Sequence, residues 1–449
     1  MTDLLAARLQ MAMSLMFHIL FAVAGIAMPL LMVLAEARWL KTRDEIYRTL
    51  AKRWCRGTAI LFAVGAVTGT VLSFELGLLW PGFMEFAGPV IGLPFAMEGF
   101  AFFLEAIFLG IYLYGWDGKV PERVHFVAGI LVCICGTLSG IFVVTANAWM
   151  NTPAGFDIEQ GMAVNIDPWA AMWNPASLAQ TSHMTIAAFQ SVAFAVAAIH
   201  AAVLLRNPGA TAHRKALAIA LPVAVVTALI QPLSGDFSAK VVAESQPIKL
   251  AALEGQWETE RGAPLRIGGW PDEEAEETRY AIEIPYLLSI LAFNDPQAEV
   301  AGLKTVPPED RPPVAITHFS FQIMVGCGMV MMLTALITLF LWWRGAKGPP
   351  QEWMTRHPWF LKLLIANGPL GLIAVEAGWI ATEVGRQPWV IQGVMRTKDA
   401  VTQVPNIWMS LVSFTLLYLF LGIIVTILLK RQVFASLPGD GPNTDPEVD

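Results

Sequence analysis

Stretches dominated by apolar residues recur nine times along the chain, at about 10–35, 58–80, 92–115, 124–146, 181–205, 216–235, 314–343, 360–382 and 406–429. Charged or Pro/Gly-rich breaks separate them. A helix needs roughly 20 such residues to cross about 30 Å of hydrocarbon. The expected fold is therefore an all-α polytopic membrane protein with about nine transmembrane helices. The first stretch is too long for a cleavable leader and no small-residue cleavage site follows it, so it reads as a structural helix. No internal repeat is evident, which argues against an inverted-repeat transporter.

Composition agrees with this pattern. Of 449 residues, 55% are hydrophobic and only 14% charged. The net charge of −7 says little about partners, because the loops differ in character. Assigning alternate loops to opposite sides puts eighteen Lys and Arg on one side and eleven on the other, seven of the eleven within the single long segment 236–313. Long segments are translocated largely regardless of charge, so the short loops decide, 18 against 4. The N-terminus is expected to be periplasmic and the C-terminus cytoplasmic, with a long periplasmic loop between helices 6 and 7. The chain then divides into helices 1–6 (1–235), the loop (236–313), helices 7–9 (314–430) and a tail (431–449) expected to lack order. The loop holds fifteen Asp and Glu, including DEEAEE at 272–277, and begins with SQPIKLAALEGQW, a short helix with Pro247 in its first turn. Four cysteines, Cys55, Cys133, Cys135 and Cys327, show no metal-site spacing and read as unpaired.

Ionisable residues at membrane depth cost about 2.5–3.5 kcal/mol and usually line functional paths. His18 lies roughly 12 Å below the outer surface at 1.5 Å per residue. Glu98 and Glu105 are seven apart, so both carboxylates share one helix face. His183 opens the fifth helix, and Glu376 lies near the outer end of the eighth. His18, Glu98, His183 and Glu376 come from four different helices and all fall in the outer half, which suggests a buried site able to hold haem iron or another metal. His318, six residues before Met324, is by itself as credible a ligand as His183. His125, His200, His213 and His357 fit solvated structural roles at the inner edge. Glu98 and Glu105 also fit a transporter's proton path.

The chain resembles subunit I of the cytochrome bd-type quinol oxidases over nearly its whole length, with a quinol loop of the short kind. The resemblance rests on ARLQMAMSLMFH (7–18), EGFAFFLEAIFLGIYLYGWD (98–117), TANAWMNTPAGF (145–156), SQPIKLAALEG (245–255), FSFQIMVGCG (319–328) and IAVEAGWIATEVGRQPW (373–389). It implies that His183 and Met324 are axial ligands of a low-spin haem b. It implies that His18, Glu376 and Glu98 serve a pair of high-spin haems, either haem b with haem d or haem b with a further haem b. Glu105 matches a proton-path residue, and Lys249 and Glu254 match residues of the quinol loop. On a regular helix Lys249 and Glu254 lie about 140° apart, so they are not expected to face one headgroup together.

The implied reaction is oxidation of ubiquinol or menaquinol at the periplasmic side and reduction of dioxygen to water with cytoplasmic protons, without pumping. The implied partners are an integral-membrane subunit II and, in some members, small single-span subunits; no nucleic acid is expected. The implied location is the bacterial inner membrane. Position 322 is Gln where the family pattern places Arg beside the low-spin haem, so this haem is expected to have a lower potential, raised by Gln322→Arg. A cyanide-insensitive member with only b-type haems is the alternative within the family. A proton-coupled transporter and a haem-bearing anchor that only relays electrons are the alternatives outside it.

Overall fold

The computed structural model describes residues 2–345 and 354–433. Among these, nine helices are long and apolar enough to cross a membrane. The first six spans are α1 (Asp3–Thr42), α2 (Glu45–Leu79), α3 (Pro81–Tyr114), α4 (Glu122–Asn151), α5 (Ser177–Arg206) and α6 (Thr211–Ser245). A short helix α7 (Pro247–Glu254) opens the long loop; α8 (Val314–Gly345), the pair α9 (Pro358–Asn367) and α10 (Leu370–Val384), and α11 (Ile407–Gln432) complete the bundle.

Local chemistry sets the helix ends. Thr2 caps α1 by accepting the Leu5 amide, and Asp44 caps α2 by accepting the Ile46 amide. Proline occupies the first turn of α3, α7 and α9, where its missing N–H costs nothing. Gly255 closes α7 in the left-handed region at φ +63°.

Contacts between helices form two rings. In the first, α1 packs on α2, α2 on α3, α3 on α4 and α4 back on α1; in the second, α5, α6, α8 and α10 close in the same way. The rings meet where α1 packs on α5, and α11 lies against α1 and α2. Lipid tails are as apolar as leucine, so close packing rather than expulsion from water joins such helices. The α5–α6 contact shows this. Ala212, Ala216, Ala220, Ala224 and Ala228 recur every fourth residue on α6, and each is at most 1% exposed. At Gly371 on α10, an added Cβ would lie 2.4 Å from the Ser191 Cα, so backbone approaches backbone there.

Three features depart from the sequence reading. First, α6 runs on to Ser245, beyond the expected end at 235. Its polar end, with Lys240 and Asp236 bonded at 2.6 Å one turn apart, stays helical without being apolar. Second, the eighth span is broken at Gly368–Pro369 into α9 and α10. Third, His125, His200 and His213 are buried rather than solvated. The His125 Nδ1 lies 2.8 Å from Glu36 and its Nε2 2.9 Å from the Tyr112 carbonyl, while His200 and His213 meet at 2.8 Å. The short helix expected at Pro247 is present, and all four cysteines are free. Most of the tail, from residue 434, lies outside the described residues.

The loop is ordered around a kinked hairpin. Leu265–Ile267 pairs antiparallel with Ile282–Ile284, and Trp270–Asp272 pairs with Glu277–Arg279. The kink falls at Gly268 and Gly269, both at positive φ, where an added Cβ on Gly269 would sit 2.8 Å from Ala281.

Candidate haem and quinol sites

His18 on α1 and His183 on α5 share one arrangement. Thr68 on α2 donates its hydroxyl to the Val64 carbonyl at 2.9 Å, so its oxygen accepts from the His18 Nδ1, 2.9 Å away. Ser234 on α6 donates to the Gln231 carbonyl at 2.8 Å and accepts from the His183 Nδ1 at 2.9 Å. Each ring is thereby held with its proton on Nδ1 and its Nε2 lone pair available, as metal-ligating histidines require. A glycine flanks each ring: the Cβ position of Gly69 lies 3.2 Å from the His18 Cε1, and that of Gly235 lies 3.6 Å from the His183 Cε1. The Gln231 amide nitrogen lies 3.3 Å from the His183 Nε2, and an iron at that position would displace it.

His318 is different. Its Nδ1 lies 2.8 Å from the Leu253 carbonyl and its Nε2 3.0 Å from the Gly268 carbonyl, so a backbone oxygen blocks each ring nitrogen from a metal. The sequence alone left His318 level with His183; the structure separates them.

Met324 on α8 points at α10, where the Cβ position of Gly378 lies 2.7 Å from its sulfur. Glu376, two residues earlier on α10, buries both carboxylate oxygens without a protein partner. A buried carboxylate in that state is costly unless a cation or metal meets it. On α3, Glu98 accepts from Ser139 at 3.2 Å. Glu105 buries one oxygen without a partner against α4, where an added Cβ on Gly136 would come within 2.9 Å of it. Among the described residues, no three of His, Cys, Asp and Glu gather into a site for a bare metal ion. Isolated ligands on separate helices, each beside a glycine or carrying unpartnered oxygens, fit a porphyrin, which supplies four of its iron's ligands itself.

Lys249 and Glu254 on α7 are 6% and 3% exposed and face different surroundings, as their spacing requires. The Lys249 ammonium donates to Asn151 at 2.9 Å. Asn151 in turn donates to Asn147, Asn147 donates to Glu383 at 2.5 Å, and Glu383 accepts from Arg386 at 2.5 Å. Arg386 is 2% exposed, and its Nε and Nη1 have no protein acceptor. Burial, helped by Arg386, brings the Lys249 ammonium down to about 7, with Glu383 opposing. Burial pushes the Glu254 carboxyl up to about 8 against the pull of Arg266, and one of its oxygens has no partner.

The conjunction joins three regions of sequence, the TANAWMN end of α4, the start of the loop and GRQPW after α10. A profile of the family described as cytochrome bd terminal oxidase subunit I matches residues 6–436. The chain belongs to the cytochrome bd oxidase subunit I family. It is 40% identical over 434 residues to the putative cytochrome bd menaquinol oxidase subunit I of Bacillus subtilis, covering 96% of each chain. It is 30% identical over 462 residues to the cytochrome bd-II ubiquinol oxidase subunit 1 of Escherichia coli, covering 88% of each. Its fold matches the bd oxidase structure from Geobacillus thermodenitrificans with a TM-score of 0.89 at 43% identity, over 96% of this chain and 98% of that one. The chain is thus a subunit of a quinol:oxygen oxidoreductase that carries haem, takes part in electron transport and resides in the inner membrane.

Sequence reasoning did not single out Asn147, Asn151, Glu383 or Arg386. It also passed over a second buried group on α1 and α2, where Glu75 accepts from Gln10 at 2.8 Å and Ser14 at 2.9 Å. The available signal was spacing. Gln10, Ser14 and His18 recur every fourth residue and so share one face of α1.

Proposed function

We propose that this subunit I oxidises quinol beside the loop at the periplasmic face and reduces dioxygen within the bundle, with protons drawn from the cytoplasm and no pump. The observation that carries the reading is the matched pair His18 and His183, each with Nδ1 donating to a hydroxyl oxygen so that Nε2 carries the lone pair. His183 and Met324 would hold a low-spin haem b. His18, Glu376 and Glu98 would serve a high-spin pair, haem b with haem d or with a further haem b. When bound, haem supplies the one-electron carriage and the oxygen-reducing iron.

The protein's own groups do the rest. Glu254 accepts a proton from a quinol hydroxyl and, with its carboxyl near 8, must release it to solvent before it can act again. Lys249 is held by Asn151 on the far side of α7 and orients the end of α4 toward the loop. Arg386 offers two N–H groups to an anionic oxygen. Glu105 lies two turns further from the loop than Glu98 on the same helix face, so protons for water pass from Glu105 to Glu98. Charge separation follows because quinol protons leave on the loop side and the protons for water enter from the other. An integral-membrane subunit II, with small single-span subunits where present, completes the complex, and ubiquinol or menaquinol is the donor.

A reduced-minus-oxidised optical spectrum of the purified complex tests this. Low-spin and high-spin bands are expected, with the low-spin band lost in His183→Ala. Colourless protein from haem-replete cells, or a low-spin band unaffected by His183→Ala, refutes the assignment. The same spectrum separates haem d from a further haem b.

A further inference from the structure

Helix α8 carries two kinds of side chain on different faces. Met324 points inward to Gly378. His318 and Gln322, four residues apart and therefore on one face, turn instead to the loop. The Gln322 Oε1 accepts the Gly268 N–H at 3.1 Å, and its Nε2 donates to the Arg266 carbonyl at 3.0 Å. His318 bridges the Gly268 carbonyl and the Leu253 carbonyl at the end of α7. Both side chains thus grip the kink of the hairpin, where positive φ at Gly268 and Gly269 turns backbone groups outward that strand pairing would otherwise use. A further strut closes the assembly: Thr278, on the returning strand, donates to the Gly255 carbonyl at 2.7 Å and accepts from the Trp257 indole at 3.2 Å. Gly255 is the residue immediately after Glu254.

We propose that Gln322 is a positioning residue for quinol oxidation, fixing the hairpin kink, and through it Glu254, at a set height on α8. The proposal rests on the reading of Glu254 as the quinol's proton acceptor. The side chain at 322 is directed at loop backbone, and both ends of its amide are used there. An Arg at this position keeps a donor for the Arg266 carbonyl but leaves the Gly268 N–H without an acceptor. The rigid link is the helix itself, since 322 and 324 are adjacent rungs and a shift of the kink changes the height of Glu254 relative to Met324.

The test uses the complete purified complex with Gln322→Leu, of similar volume, and Gln322→Glu, which keeps the acceptor for Gly268. Three quantities are read: hydrogen exchange at the amides of 262–284, steady-state KM and kcat for a short-chain quinol, and the dithionite-reduced spectrum. Gln322→Leu is expected to speed exchange at Gly268 about tenfold, as loss of one or two hydrogen bonds allows. It is expected to lower kcat/KM several-fold with the haem bands unmoved, while Gln322→Glu recovers part of both effects. Unchanged exchange overturns the proposal, as does faster exchange with an unaltered kcat/KM. A shift confined to the low-spin band or its potential overturns it as well, since residue 322 would then act on the haem rather than the loop. If the parent complex oxidises no quinol, the proposed function fails, whereas unaltered exchange refutes the clamp alone.

Discussion

The pH dependence of quinol oxidation follows from one buried carboxyl. With Glu254 held at about 8 by burial, roughly one-tenth of the molecules carry it ionised at pH 7 and roughly one-hundredth at pH 6. Only the ionised form can take a proton from the quinol. At limiting quinol, kcat/KM is therefore expected to rise about tenfold between pH 6 and 7, less between 7 and 8, and to level above 8. Glu254→Gln removes the base, so the steep rise is lost and the rate falls by about 10²–10⁴, the usual range for a lost general base. Arg266 favours the ionised form, so Arg266→Gln is expected to move the midpoint upward. Lys249, brought down to about 7, titrates separately and leaves a shallower limb in the Glu254→Gln profile. Stability carries the matching sign. The folded carboxyl lies above its unfolded value, so its contribution is complete below about 4.5 and is lost as pH rises through about 8. Thermal midpoints of the wild type should fall between about pH 4.5 and 8 relative to those of Glu254→Gln, and run parallel to them above 8. Stopped-flow reduction by quinol in proteoliposomes between pH 6 and 9 is the assay. A flat wild-type profile, or an equal slope in Glu254→Gln, refutes the reasoning.

Other expectations concern the bundle. Glu105→Gln is expected to slow oxygen consumption while quinol still reduces the low-spin haem in stopped flow; full turnover defeats the relay. Thr68→Val and Ser234→Ala free the Nδ1 of His18 and His183, and are expected to weaken haem retention by roughly 10–100-fold, read as haem per protein after detergent dilution. An undiminished haem content counts against the tautomer argument. Gly378→Ala places a methyl 2.7 Å from the Met324 sulfur and is expected to diminish the low-spin band; an unaltered spectrum and redox titration remove Met324 from the ligand set.

The nine spans were legible because apolar length is a one-dimensional property. The places where the reading stopped short show what sequence lacks. The end of α6 carries Ser234, Asp236 and Lys240, which break an apolar run without breaking a helix. The Gly-Pro pair at 368–369 is visible in composition, but only the structure shows that the helical hydrogen bonding is interrupted there. His18 and His183 were legible as candidates. What distinguishes them from His318 is which acceptor each ring nitrogen meets, and those acceptors lie 50, 51 and 65 positions away. Arg386 and Glu383 sit in a quoted motif, yet only the three-dimensional neighbours Asn147 and Asn151 reveal the chain leading to Lys249. The orientation of Lys249 and Glu254 away from each other followed from helical angle alone.

The bond from Lys249 to Asn151 has a practical consequence for building hybrids between relatives. The loop shares its buried amine with α4, its Gln246 side chain with Gln392 and its hairpin kink with α8. Transplanting the segment between its flanking spans would leave Asn151 and Gln322 facing strangers. A chimaera that moves donor specificity from one oxidase to another should therefore carry those recipient positions with it, and one that omits them should assemble poorly whichever quinol it was meant to accept.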